Sequence, residues 1–135
     1  MAFNVDGLRK QLQRQVNDFA GRAADGITAE VREAAPVETG VLKRSVTHTT
    51  PQVSDSQVSF TVQTGDLIQA NTTEYGARPH VIVPRTKRAL AFRTNGTLVI
   101  TKRVNHPGNK PDPWFYPTVN KWPEVAGKVW RRVSR

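Results

Sequence analysis

The chain of 135 residues is 37% hydrophobic and 23% charged at a mean hydropathy of −0.52, values that fit one folded domain over residues 1–135 with a thin core and exclude wholesale disorder. Cysteine is absent, which excludes a disulfide framework, a thiolate nucleophile and Cys-ligated zinc. No basic-then-apolar leader and no run of 18 apolar residues occurs, so neither a secretion signal nor a membrane partner is expected, and the Asn71-Thr72-Thr73 and Asn95-Gly96-Thr97 sequons read as chance matches.

The net charge of +9 is unevenly spread. Residues 1–77 hold seven Lys/Arg against nine Asp/Glu, residues 112–135 hold five against two, and residues 78–111 hold eight Lys/Arg with no acid. Charge of one sign gathered in one segment favours an anionic partner, either nucleic acid or an acidic protein surface.

In chain order, Leu8, Leu12, Val16, Phe19, Ala23, Ile27 and Val31 recur at steps of four or three and predict an amphipathic helix over residues 6–34, capped by Asp6 and closed by Pro36. At about 1.5 Å per residue it would outreach a globule of this size, so either part of it needs a partner or it breaks near Gly26 and folds back. Pro36, Thr39 and Gly40 then predict a corner, with Thr39 bonding local amides, leading to Leu42 and Ser45. Val58, Phe60 and Val62 alternate with polar residues as a half-buried strand, paired with residues 43–50 through a loop at 51–56. A short strand is expected over 80–84, a basic loop over 85–88, and strands over 89–94 and 97–104 around Asn95-Gly96, a strong hairpin signal. Alternation is expected to send Leu90, Phe92, Leu98 and Ile100 to one face and Arg93 to the other. Residues 105–113 read as turns holding no regular element, and Phe115, Val119, Trp122, Ala126, Val129 and Val133 mark a second helix kinked at Pro123. The expected class is α+β: an antiparallel β-sheet flanked by a long N-terminal helix and a kinked C-terminal helix.

No catalytic constellation emerges. His48, His80 and His106 lack ligand spacing, Ser45 and Ser54 occupy no nucleophile elbow, and an Asp66–Glu74 acid–base pair has little to recommend it. No metal and no cofactor are expected. Trp114, Phe115 and Tyr116 beside Lys110 could stack on bases, but aromatics opening an amphipathic helix fit a core better.

The run Ala35-Pro36-Val37-Glu38-Thr39-Gly40-Val41-Leu42-Lys43-Arg44-Ser45-Val46 resembles the signature of the HK97-type tail-component family of tailed bacteriophages. Further blocks are similar to it in order: Glu74-Tyr75-Gly76, Pro79-His80, Pro84, Leu90-Ala91-Phe92, Val104-Asn105-His106-Pro107-Gly108 with Pro111, and Phe115 before Pro117. Thr118 stands where the family usually has alanine, and Trp114 is added bulk. The resemblance implies a non-enzymatic virion protein, assembled in the host cytoplasm, that completes the head-proximal end of the tail and joins it to the head. Its implied partners are copies of itself in a ring, neighbouring neck, tail-terminator and tail-tube proteins, and virion DNA in the channel. The alternative is a free nucleic-acid-binding protein using residues 78–111, although no recognised binding motif is present. In either case Arg78, Arg85, Lys87, Arg88, Arg93, Lys102 and Arg103 are the expected anion-facing residues, and within a neck an acidic neighbouring ring is preferred to DNA.

Overall fold

In a computed structural model, residues 4–37, 40–65 and 67–135 are described. The first element is one continuous helix, α1 (Val5–Ala34), about 45 Å long at 1.5 Å per residue. Its cap is Asn4, whose side chain accepts from the Gly7 amide at 2.9 Å, and not Asp6, which lies two residues further on, already inside the first turn. The helix does not break at Gly26. A Cβ there would stand 3.1 Å from Val125 of the C-terminal helix, so the glycine serves close packing between helices.

Only the second half of α1 is buried, through Ala20, Ala23, Ala24, Ile27, Thr28 and Val31. Small residues let the C-terminal helix approach closely, with Phe19 and Trp130 meeting edge to face at 5.4 Å. The core continues through Val31, Ala35, Leu42, Val46, Ala70 and Trp114, against which Val62, Phe115 and Val119 pack.

After the corner the chain forms a short helix, α2 (Val41–Ser45), where a strand beginning at residue 43 is expected from the sequence. Gly40 precedes it with φ +75° and its carbonyl accepts from the Arg44 amide at 3.0 Å, a turn that starts a helix and leaves no extended backbone for pairing. The strands are β1 (Val46–His48), β2 (Gln52–Val53), β3 (Val58–Ser59) and β4 (Val62–Thr64). β1 pairs with β4 and β2 with β3, all antiparallel, as one bent hairpin. His48 faces Val62 while Gln52 faces Ser59, so residues 49–51 oppose residues 60–61, a bulge bridged by the Thr61 amide donating to Thr49 Oγ1 at 2.9 Å. The closing loop is residues 54–57 and not 51–56, because Gln52 and Val53 extend the ladder.

A helix unforeseen in the sequence follows, α3 (Leu67–Tyr75). Then come β5 (His80–Ile82), β6 (Leu90–Thr94), β7 (Thr97–Thr101) and β8 (Val104–His106). β8 corrects the expectation of an irregular 105–113 segment: Asn105 and His106 pair with Val81 and His80. It also shortens the strand expected over 97–104, which ends at Thr101.

The C-terminal helix is two pieces, α4 (Phe115–Val119) and α5 (Trp122–Val133), 19 residues bent by 36°. The break lies at residues 120–121, and Pro123 sits in the first turn of α5, where its missing N–H is no loss. The fold is α+β, and among the described residues the strands form four two-stranded antiparallel ladders rather than one sheet. Among the described residues no helix is long and apolar enough to cross a membrane.

Candidate interaction surface

Two glycines begin the basic segment's structure. Gly76 (φ +77°) and Gly108 (φ +79°) take left-handed backbone that other residues adopt only with strain. Each lies where strands cross closely: a Cβ on Gly108 would collide with the Ala77 carbonyl, and one on Gly76 would come within 2.8 Å of the Asn109 carbonyl. Between them Ala77 and Asn109 exchange two backbone hydrogen bonds of 3.0 Å. Asn109 Nδ2 donates to the Thr72 carbonyl at 2.9 Å and the Asp112 amide to the Thr73 carbonyl at 2.8 Å, tying this root to α3.

From the root the ladder runs outward in one register, Ala77 opposite Asn109 and His80 opposite His106, with the two imidazoles stacked at 4.9 Å. His106 Nδ1 accepts from the Gly108 amide at 3.0 Å. Gly76, His80, His106 and Gly108, far apart in sequence, therefore meet at one place, with Pro107 between the last two. Beyond Ile82 the two sides become unequal: residues 83–89 swing out of one strand while only residues 102–103 span the same height on the other. Pairing resumes at Leu90 opposite Thr101 and closes on Asn95 (φ +49°) and Gly96 (φ +78°), whose paired positive φ values match the twist of the flanking strands. The result is a two-stranded arm of two ladders, residues 77–82 with 104–109 and residues 90–94 with 97–101, joined at a bend. Every residue from 91 to 98 is exposed, so the outer ladder stands off the helical body.

Arg85, Lys87 and Arg88 ride on the wide bend, Lys102 and Arg103 leave the opposite strand at that height, Arg93 lies nearer the tip and Arg78 at the root. Among the described residues, no ion pair includes any of these cations. The expected separation of charge from apolar side chains does not occur. A two-residue turn sets Arg93 opposite Leu98 and Ala91 opposite Ile100, and directly paired residues share a face. Arg93 thus shares the outer face with Leu98 and Ile100, 54% and 68% exposed, while Leu90 and Phe92 lie on the other face with Val99 and Thr101.

Several of the remaining predicted residues have internal tasks. Glu74, 6% exposed, accepts from the amides of Trp114, Phe115 and Tyr116 at 2.7, 2.9 and 3.2 Å, capping α4 from forty residues away. Its carboxylate is the only buried one among the described residues. Asp66, its suggested acid–base partner, lies outside the described residues. Tyr75 rests near Tyr116, ring centroids 6.4 Å apart. At the corner Leu42 is a core residue, and Ser45 Oγ donates to the Leu42 carbonyl at 2.7 Å while Thr64 Oγ1 lies 2.7 Å away, joining α2 to β4. Pro36 and Val37 border a groove of about 820 Å³ shared with Ile68, Thr72, Pro107 and Lys110. Thr39 lies outside the described residues. Trp114 is buried in the core and Thr118 is buried with its hydroxyl donating to the Trp114 carbonyl at 2.6 Å.

A second surface escaped the sequence reading in its extent. The first half of α1 leaves Val5, Leu8 and Leu12 exposed along a groove of about 640 Å³ whose other wall is the loop 54–57 with Val58 of β3. Among the described residues, no three His, Asp or Glu side chains are placed to share a metal ion. No family model, curated protein or solved structure matches this chain.

Proposed function

We propose that this chain is a structural subunit of the neck of a tailed-phage virion, completing the head-proximal end of the tail and joining it to the head as one of several copies in a ring. The observation that carries the reading is that the first half of α1, with Val5, Leu8 and Leu12 open along a groove, and the outer ladder of the arm, with Leu98 and Ile100, leave apolar side chains exposed. A two-stranded hairpin is marginal in water by itself, and an exposed helical stripe of valine and leucine has no purpose in an isolated monomer, so both features suit a subunit finished by its neighbours. Ring contacts are heterologous, and the α1 stripe is assigned to the adjoining copy.

The family-like blocks support the same reading. Glu74-Tyr75-Gly76, Pro79-His80 and residues 104–108 meet at the arm root and the α4 cap, Pro84 and Leu90-Ala91-Phe92 lie farther out on the arm, and the corner joins α1 to α2. The role is scaffolding: the buried carboxylate is already committed to three amides.

Deleting the gene from the phage genome and examining lysates by electron microscopy tests the proposal. Full heads and finished tails left unjoined, and rejoined on adding purified protein, are the expected result. Normal virions from the deletion would overturn it.

A further inference from the structure

We infer that the arm is a ligand for double-stranded nucleic acid, lying in a groove with its cations on the phosphates at either side. The inference names the arm's partner within the neck reading and rests on that reading only for where the contact is made. A basic surface meant for an acidic protein ring should gather its cations on one side, so that carboxylates on a single facing surface can pair with them. The arm is built otherwise. At one height Arg85, Lys87 and Arg88 belong to one side of the ribbon and Lys102 and Arg103 to the other, so both of its strands contribute cations there. Arg93 continues the charge towards the tip on the outer face, among Leu98 and Ile100.

Duplex geometry answers this arrangement. The paired stretch beyond the bend, two strands about 5 Å apart, is narrow enough for a major groove about 12 Å wide, and the wider bend behind it brings its cations to the groove's mouth. A groove presents phosphates along both walls, so long cations from both strands find partners at once. The absence of any acid in residues 78–111 removes local repulsion along the whole length. The small Asn95-Gly96 tip, where a Cβ on Gly96 would meet only open space, lets the end of the ribbon enter without a steric block. Contacts to phosphate carry no sequence information, so binding is to duplex of any sequence.

Titrating the full chain with a mixed-sequence 20-base-pair DNA duplex at several salt concentrations tests this. Five to eight phosphate contacts give a slope of log K against log salt of about −4 to −7, from counterion release. The variant Arg85→Ala, Lys87→Ala, Arg88→Ala reduces that slope by roughly 3, and Lys102→Ala, Arg103→Ala independently by roughly 2. Arg131→Ala, Arg132→Ala, Arg135→Ala, with the same charge change in and after α5, leaves it unchanged. Thermal melts of each variant establish that it is folded, and two separate arm clusters keep the test valid if one variant is not. Slopes indifferent to both arm variants, or polyglutamate bound more tightly than duplex, would overturn the inference. A chain that binds no duplex yet still joins heads to tails removes this inference and leaves the neck reading. A chain that binds duplex but is missing from virions does the reverse.

Discussion

Replacing Glu74 by alanine should destabilise the protein more than any surface substitution, because one carboxylate satisfies three amides of a buried helix start. Its oxygens accept from Trp114, Phe115 and Tyr116 at 2.7, 2.9 and 3.2 Å, and the group is 6% exposed. A hydrogen bond to a charged acceptor contributes about 1.5–3 kcal/mol net, and a buried donor left without a partner costs about 1–3 kcal/mol. The first turn of α4 opens at its exposed side, so water recovers part of the loss, leaving about 3 kcal/mol. For a chain of this length that is a fall in melting temperature of about 10 °C. Glu74→Gln retains one acceptor but turns an amide donor towards backbone donors, and should lose about 2 kcal/mol. Urea and thermal unfolding followed by circular dichroism, with tryptophan fluorescence reporting on Trp114, measure both. A Glu74→Ala protein melting within about 2 °C of the parent would refute the capping argument.

Three further outcomes follow from the same structure. Gly40→Val should cost about 1–3 kcal/mol, since its φ of +75° is strained for a β-branched side chain, and unchanged denaturant unfolding would show that the corner tolerates one. His48 should make stability pH-dependent: its ring nitrogens face the Thr49 carbonyl at 2.8 Å and Asp25 at 2.9 Å, and both hold the imidazolium, raising its pKa. A raised folded pKa means the contribution is fully present below the ordinary value of 6.5 and is lost as pH rises through the folded value, so melts from pH 5 to 8 should show a decline that Asp25→Asn reduces. Leu98→Thr with Ile100→Thr should change stability by no more than about 0.5 kcal/mol, both side chains being exposed and threonine a good strand former, and a larger loss in unfolding experiments would mean the arm packs on the body.

What could be read in the sequence was local. The α1 stripe and the Asn95-Gly96 hairpin announce themselves through spacing of three and four residues and through a turn that needs positive φ. The face assignment within that hairpin failed although it was derivable: a two-residue turn pairs 94 with 97, which forces 93 opposite 98 and puts Arg93 beside Leu98. Pairing of β5 with β8 was hidden because two three-residue strands, separated by a bend and a whole hairpin, carry too few side chains for periodicity to register. The α3 helix was missed for a different reason. Asn71, Thr72 and Thr73 are weak helix formers, and the helix is held by tertiary contacts: Ala70 in the core, Glu74 on α4, and the Thr72 and Thr73 carbonyls on the arm root. Nothing within nine residues signals such partners. The basic segment was visible as composition, but its division between two strands of a ribbon appears only once the register is known.

The proposed neck role is tested most directly by a reconstruction of intact virions of a phage whose genome carries this gene. Purified chain alone should be monomers or small oligomers by light scattering, since a contact built on the short Val5, Leu8 and Leu12 stripe is too small to hold a ring without neighbours. The account predicts density for several copies of the α1–hairpin–arm fold in a ring at the head-proximal end of the tail, with the Val5, Leu8 and Leu12 stripe against the adjoining copy. Virions whose neck holds one copy of this fold, or none, would contradict it.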